Sequence, residues 1–74
     1  METVKEVHSE EVIVHLYNDA DAKKNIEDSV KKVLYGRLKN KTANIKNVEY
    51  DIQWEQAMGG NMSCTIVATA EIDK

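Results

Sequence analysis

Cys64 is the single cysteine of the chain, and His8 and His15 are its two histidines. A thiolate activated by an imidazole would make a nucleophile. Neither histidine neighbours Cys64 in sequence, however, and Cys64 falls in an alternating apolar row where a thiol behaves as a small buried hydrophobe. His8 and His15 are an odd number of residues apart, so a strand spanning both puts them on opposite faces. With no Cys-x-x-Cys motif beside them, that spacing makes no zinc site. Asp19 and Asp21 have the chemistry to ligate calcium, but the other acids and the glycine of a calcium loop are missing; capping of a helix accounts for both. Glu49, Asp51 and Glu55 stand side by side on the polar face of a strand pattern. That spacing permits acid–base work, and a solvated strand face explains it more simply. Gly59-Gly60 lacks the following helix that a phosphate-cradling loop requires. The sequence therefore predicts no catalytic set, no metal site and no cofactor.

Positive charge gathers in one place. Lys31, Lys32, Arg37, Lys39, Lys41 and Lys46 fall in a stretch without a single acid, although the chain as a whole carries a net charge of −3. Lysines near a helix C-terminus interact favourably with the helix dipole, which explains part of this island structurally. Tyr35 is different. It falls opposite the apolar stripe, near Lys31 and Lys32, and an exposed aromatic among cations suits a protein partner or a nucleic-acid backbone. Lys31, Lys32, Tyr35, Arg37, Lys39 and Lys41 are thus the expected partner-binding residues. Acidic flanks argue against strong duplex binding. Trp54, with Tyr50, sits on an apolar row and reads as core; left uncovered, Trp54 with Gln56 would form a stacking platform for a small ligand.

The elements that must position these residues are legible from periodicity. Val12-Ile13-Val14-His15-Leu16-Tyr17 reads as a strand, with Thr3 to Val7 either its continuation or a separate arm. Asn18-Asp19-Ala20-Asp21 starts a helix. Ala22, Ile26, Val30, Val33 and Leu34 then share one helical face. Gly36 is placed for a left-handed C-terminal residue, Leu38 lies off the stripe, and residues 37–44 are expected as loop, with a frayed last turn reaching Lys39. Val48, Tyr50, Ile52 and Trp54 alternate with polar residues, and so do Met62, Cys64, Ile66, Ala68, Ala70 and Ile72. Two half-buried strands about Gly59-Gly60 make a hairpin. Both apolar rows occupy even positions and must share a face, so paired positions must have equal parity. A three-residue Gly59-Gly60-Asn61 loop satisfies this and pairs Trp54 with Ile66, Ile52 with Ala68 and Tyr50 with Ala70.

The expected fold is α+β: β-α-β-β, a three-stranded, mainly antiparallel sheet with one helix packed on one face, forming a single domain over 1–74. Of its 74 residues, 42% are hydrophobic and 31% charged, and none is proline, a globular balance. No apolar run approaches a membrane span, the first residues do not resemble a signal peptide, and one cysteine suits a reducing cytoplasm. A chain this short buries a thin core, which favours self-association.

Two resemblances accompany this reading. Val12 to Leu34, Ile45-Lys46-Asn47-Val48-Glu49-Tyr50 and Met62-Ser63-Cys64 together resemble the short sporulation-associated βαββ proteins of endospore-forming bacteria and their phages, a likeness that implies no known chemistry. The β-α-β-β order and the length are similar to those of dodecins, small flavin-storing oligomers. There the resemblance implies a flavin stacked on Trp54 and held by Gln56. The expectation is a small non-catalytic accessory or regulatory protein, of the kind a phage encodes as an inhibitor, that binds another macromolecule. Its alternatives are a flavin-type storage oligomer and a weak nucleic-acid binder acting through residues 31–46.

Overall fold

A computed structural model describes residues 2–73. Strand β1 spans Glu2–Ile13, a short helix α1 Val14–Asn18, the main helix α2 Ala20–Lys41, and strands β2 and β3 Ile45–Gln56 and Asn61–Ile72. The strands form one antiparallel sheet in the order β1-β3-β2. The expected β-α-β-β order and α+β class are what the protein adopts. No helix of the described residues is long and apolar enough to cross a membrane.

The core lies between α2 and one face of the sheet. Val30, Leu34 and Leu38 of α2 meet Cys64, Ile66, Ala68 and Ala70 of the central strand β3, all essentially inaccessible. The two alanines remove side-chain bulk directly beneath the helix. Val4, Val48, Tyr50, Ile52 and Trp54 pack round this centre from the outer strands.

Three local expectations give way to tertiary structure. The strand predicted at Val12–Tyr17 ends at Ile13, and Val14–Asn18 turns helical. Ile13 pairs with Asn61, the first residue of β3. Beyond it Val14 has no ladder to join, so its backbone groups are satisfied by a helical turn instead. Thr3 to Val7, undecided from sequence, belongs to β1.

The helix does not stop at Gly36 but runs on to Lys41. Gly36 is not among the residues with positive φ. A glycine in a helix interior costs about 0.5–1 kcal/mol, whereas burying a leucine is worth about 1.5–3 kcal/mol. Leu38, fully buried, is one turn beyond Leu34 and decides the matter. The left-handed residue is Asn44, at φ 64, so the loop shrinks to residues 42–44. The N-terminal end matches expectation: the Asp19 carboxylate accepts hydrogen bonds from the backbone N–H groups of Asp21 (3.0 Å) and Ala22 (3.2 Å).

The hairpin obeys the parity rule in a neighbouring register. Trp54 faces Cys64, Ile52 faces Ile66 and Tyr50 faces Ala68. The turn is Met58–Gly60, one residue earlier than expected, with Gly59 and Gly60 both at φ 77. That places both glycines at the loop positions only they occupy without strain and frees Asn61 to open β3. Near its start β2 carries a bulge between Ile45 and Asn47.

Candidate binding surface

The basic residues of α2 divide between its two flanks. Lys31, Tyr35 and Lys39 follow one another at four-residue spacing and therefore share a side of the helix. It is the side over β2, because the Lys31 ammonium lies 5.5 Å from the Tyr50 ring centre. Lys39 lies 5.5 Å from the ring centre of Tyr35. Lys32, exposed, is seven residues from Lys39 and stands at about the same azimuth. Tyr35 is 41% exposed, which leaves much of its ring open beside the two cations. Burial pushes the Tyr50 hydroxyl above its ordinary pKa, and the nearby Tyr35 adds to the shift. A shallow depression bounded by Tyr35, Lys39, Thr42, Ala43, Asn44 and Ile45 continues this strip round the end of α2.

Arg37 and Lys41 lie elsewhere. Lys41 forms an ion pair with Glu6 of β1 at 3.3 Å, and Arg37, one turn earlier, shares that opposite flank. Of the six predicted partner-binding residues, the structure gathers Lys31, Lys32, Tyr35 and Lys39 and sets Arg37 and Lys41 apart.

Trp54 is half-buried at the edge of the core, and its exposed side is occupied. Tyr17 packs against it with ring centres 5.1 Å apart and planes tilted by 57°. The indole N–H donates to the Glu27 carboxylate at 2.8 Å, and Lys23 lies over both rings, 4.7 Å from Tyr17 and 5.7 Å from Trp54. Gln56 is exposed, two residues further along the same strand. Tyr17, Lys23 and Glu27 were not singled out from sequence. Lys23, Glu27 and Lys31 are spaced by four, beside the apolar stripe rather than opposite it, and that spacing is the signal that finds them.

Cys64 is sealed beneath Trp54 and α2. Burial, then the carboxylates of Glu27 and Glu10, raise its thiol pKa, with Lys23 opposing. A thiol so placed is a weak nucleophile. His8 bonds the Glu10 carboxylate at 2.9 Å. Among the described residues no three His, Cys, Asp or Glu side chains come together as a metal site.

The face of the sheet away from α2 is uncovered. Glu11, Glu49, Asp51, Glu55 and Glu71 stand there with Lys5, around a short apolar row of Val7 and Val67. The molecule thus presents a basic, aromatic helix surface and an acidic sheet surface back to back. Comparison with protein-family models, with curated proteins and with solved structures finds no match.

Proposed function

We propose that the protein is a small, non-catalytic accessory or regulatory domain of the cytoplasm that binds an acidic surface of another protein. The observation carrying this reading is the Lys31–Tyr35–Lys39 strip with Tyr50 beneath it: two cations resting on aromatic rings, one ring 41% exposed. Arg, Tyr and Trp anchors dominate protein interfaces. Here a tyrosine supplies apolar area while flanking lysines steer a carboxylate-rich partner towards it. The lysines surrender little by turning to a partner, since an exposed cation–aromatic contact is worth about 0.5–1 kcal/mol.

The test is capture from lysate with immobilised wild-type protein beside two variants, Lys31→Glu/Lys39→Glu and Tyr35→Ala. Proteins retained by the wild type and lost by both variants, with elution at moderate salt, are the expected result. The same proteins retained by all three removes this surface. Tyr17 and Glu27 already engage Trp54, so no second reading through a Trp54–Gln56 ligand site is favoured.

A further inference from the structure

The β1 flank of α2 carries a feature the function above does not use. Ala22, Ile26, Ser29, Val33, Gly36 and Asn40 follow one another at spacings of four and three, the repeat that lets two helices pack along a seam. Val33 is 44% exposed, and with Ile26, Val30 and Val12 of β1 it lines an apolar groove between helix and strand. Val14 and Leu16, just past the end of β1, are also exposed. Alongside runs the outer edge of β1, which has β3 on its other side and no strand beside it among the described residues.

We propose that this flank binds a second copy of the chain: two β1 edges pair antiparallel about His8, joining the sheets into one of six strands, and the two α2 helices pack antiparallel above the join. Three independent features fit this occupant. The first is charge. Pairing about His8 sets Lys5 opposite Glu11 of the second copy, twice by symmetry, and Val4 opposite Val12. Within the chain Lys5 and Glu11 face only Thr69 and Ser63, so both charges are available. Glu6 would meet Glu10, but Lys41 already neutralises the first and His8 binds the second. The other sheet edge does not offer this. The outward row of β2 is Asn47, Glu49, Asp51, Gln53 and Glu55, so self-pairing there crowds acids against acids, a common guard on a strand edge.

The second feature is the helix seam. Glu27 reaches Trp54, in the cross-strand row of Glu10, while Lys31 and Lys41 reach the row of Glu6 through Tyr50 and Glu6 itself. His8 therefore lies under the middle of α2. A two-fold axis there sets Val33 against Ser29, Ile26 against Gly36 and Ala22 against Asn40 of the second copy, small against large along much of the seam. A side-chain carbon added at Gly36 would meet nothing within 4 Å in one chain, which leaves room for the Ile26 that would face it.

The third feature is spacing. The backbone of α2 runs closer to β1 and β3 than to β2. With strands about 4.8 Å apart, a helix over the β1–β3 seam and its symmetry mate run roughly 10 Å apart, the distance at which helices pack. The molecule is 44 Å long and 22 and 17 Å across, so a face along its length has room for the about 800 Å² per copy that a stable dimer buries. The Lys31–Tyr35–Lys39 strip lies on the far flank and stays free.

Sedimentation equilibrium and native mass spectrometry test this. The wild type is expected to be a dimer at micromolar concentration. Val33→Glu, at an exposed position, is expected to be a monomer with an unchanged circular-dichroism spectrum. Lys5→Glu and Glu11→Lys are each expected to raise the dissociation constant roughly tenfold, since each opposes like charges at two symmetric pairs. The double variant Lys5→Glu/Glu11→Lys is expected to regain the wild-type value. A wild type that stays monomeric at several hundred micromolar, an oligomer indifferent to Val33→Glu, or a double variant no tighter than the singles would overturn the proposal.

Discussion

Leu34 and Cys64 show how little the centre of this protein can spare. Among the described residues seven form the buried core, and Leu34 is fully enclosed there. Leu34→Ala is expected to cost about 2–5 kcal/mol, read as a lowered urea midpoint. Cys64 is expected to resist an aromatic disulfide reagent in the native state and to react at once in urea, because its thiol is both enclosed and held above its ordinary pKa by burial. Rapid native labelling would show that α2 lifts away from β3. Trp54 gives an optical reading of its surroundings. Tyr17→Ala removes the ring lying 5.1 Å away, so emission is expected to shift to the red and acrylamide quenching to rise. An unchanged spectrum would place the indole's protection elsewhere.

Helix α2 is the element whose length matters most, since its last turn carries Lys39 and Lys41. Gly36 lies inside it with open space where a side chain would begin. In the Val33→Glu background, where self-association does not interfere, Gly36→Ala is expected to raise stability by about 0.5–1 kcal/mol. At a left-handed C-terminal residue the same change would be destabilising, so a thermal melt distinguishes the two. Gly59→Ala, at φ 77, is expected to destabilise. The contrast marks what sequence conveys at this scale. The apolar alternation of β2 and β3, the Asp19 cap and the stripe of Val30 and Leu34 are local signals, and each predicts its element. The end of α2 depends on whether Leu38 finds a pocket among β3 alanines, and the end of β1 on where β3 begins. Neither fact is present in the residues nearby. The binding strip divides in the same way: the spacing of Lys31, Tyr35 and Lys39 is legible, but Arg37 and Lys41 turn to the β1 side only because α2 continues past Gly36, and there Lys41 pairs with Glu6.

From Lys31 onward α2 carries cations and no acid, while the open face of the sheet carries mostly carboxylates. Binding through the helix is therefore expected to weaken as salt rises. Alkaline pH acts on the fold itself. Burial raises the pKa of Cys64 and of Tyr50 above their ordinary values of 9.0 and 10.0. The folded state keeps these protons longer than the unfolded chain does. Their contribution to stability is thus full below about pH 9 and is lost as pH rises through the raised folded values. Urea midpoints measured from pH 7 to 11 should fall only in the upper part of that range, and a flat profile would show that neither group is held back by the fold. The strand order β1-β3-β2 also sets a sequence of events in time. β2 and β3 close across a three-residue turn, whereas Glu2 must find Ile72. Loop closure slows as the contacts become more distant along the chain, so the hairpin assembles early and β1 arrives last. During that interval β3, the strand destined for the centre of the sheet, has one edge bare. A newly made chain crowded among its copies is most exposed to mispairing then, and the speed with which β1 docks becomes a trait on which selection can act.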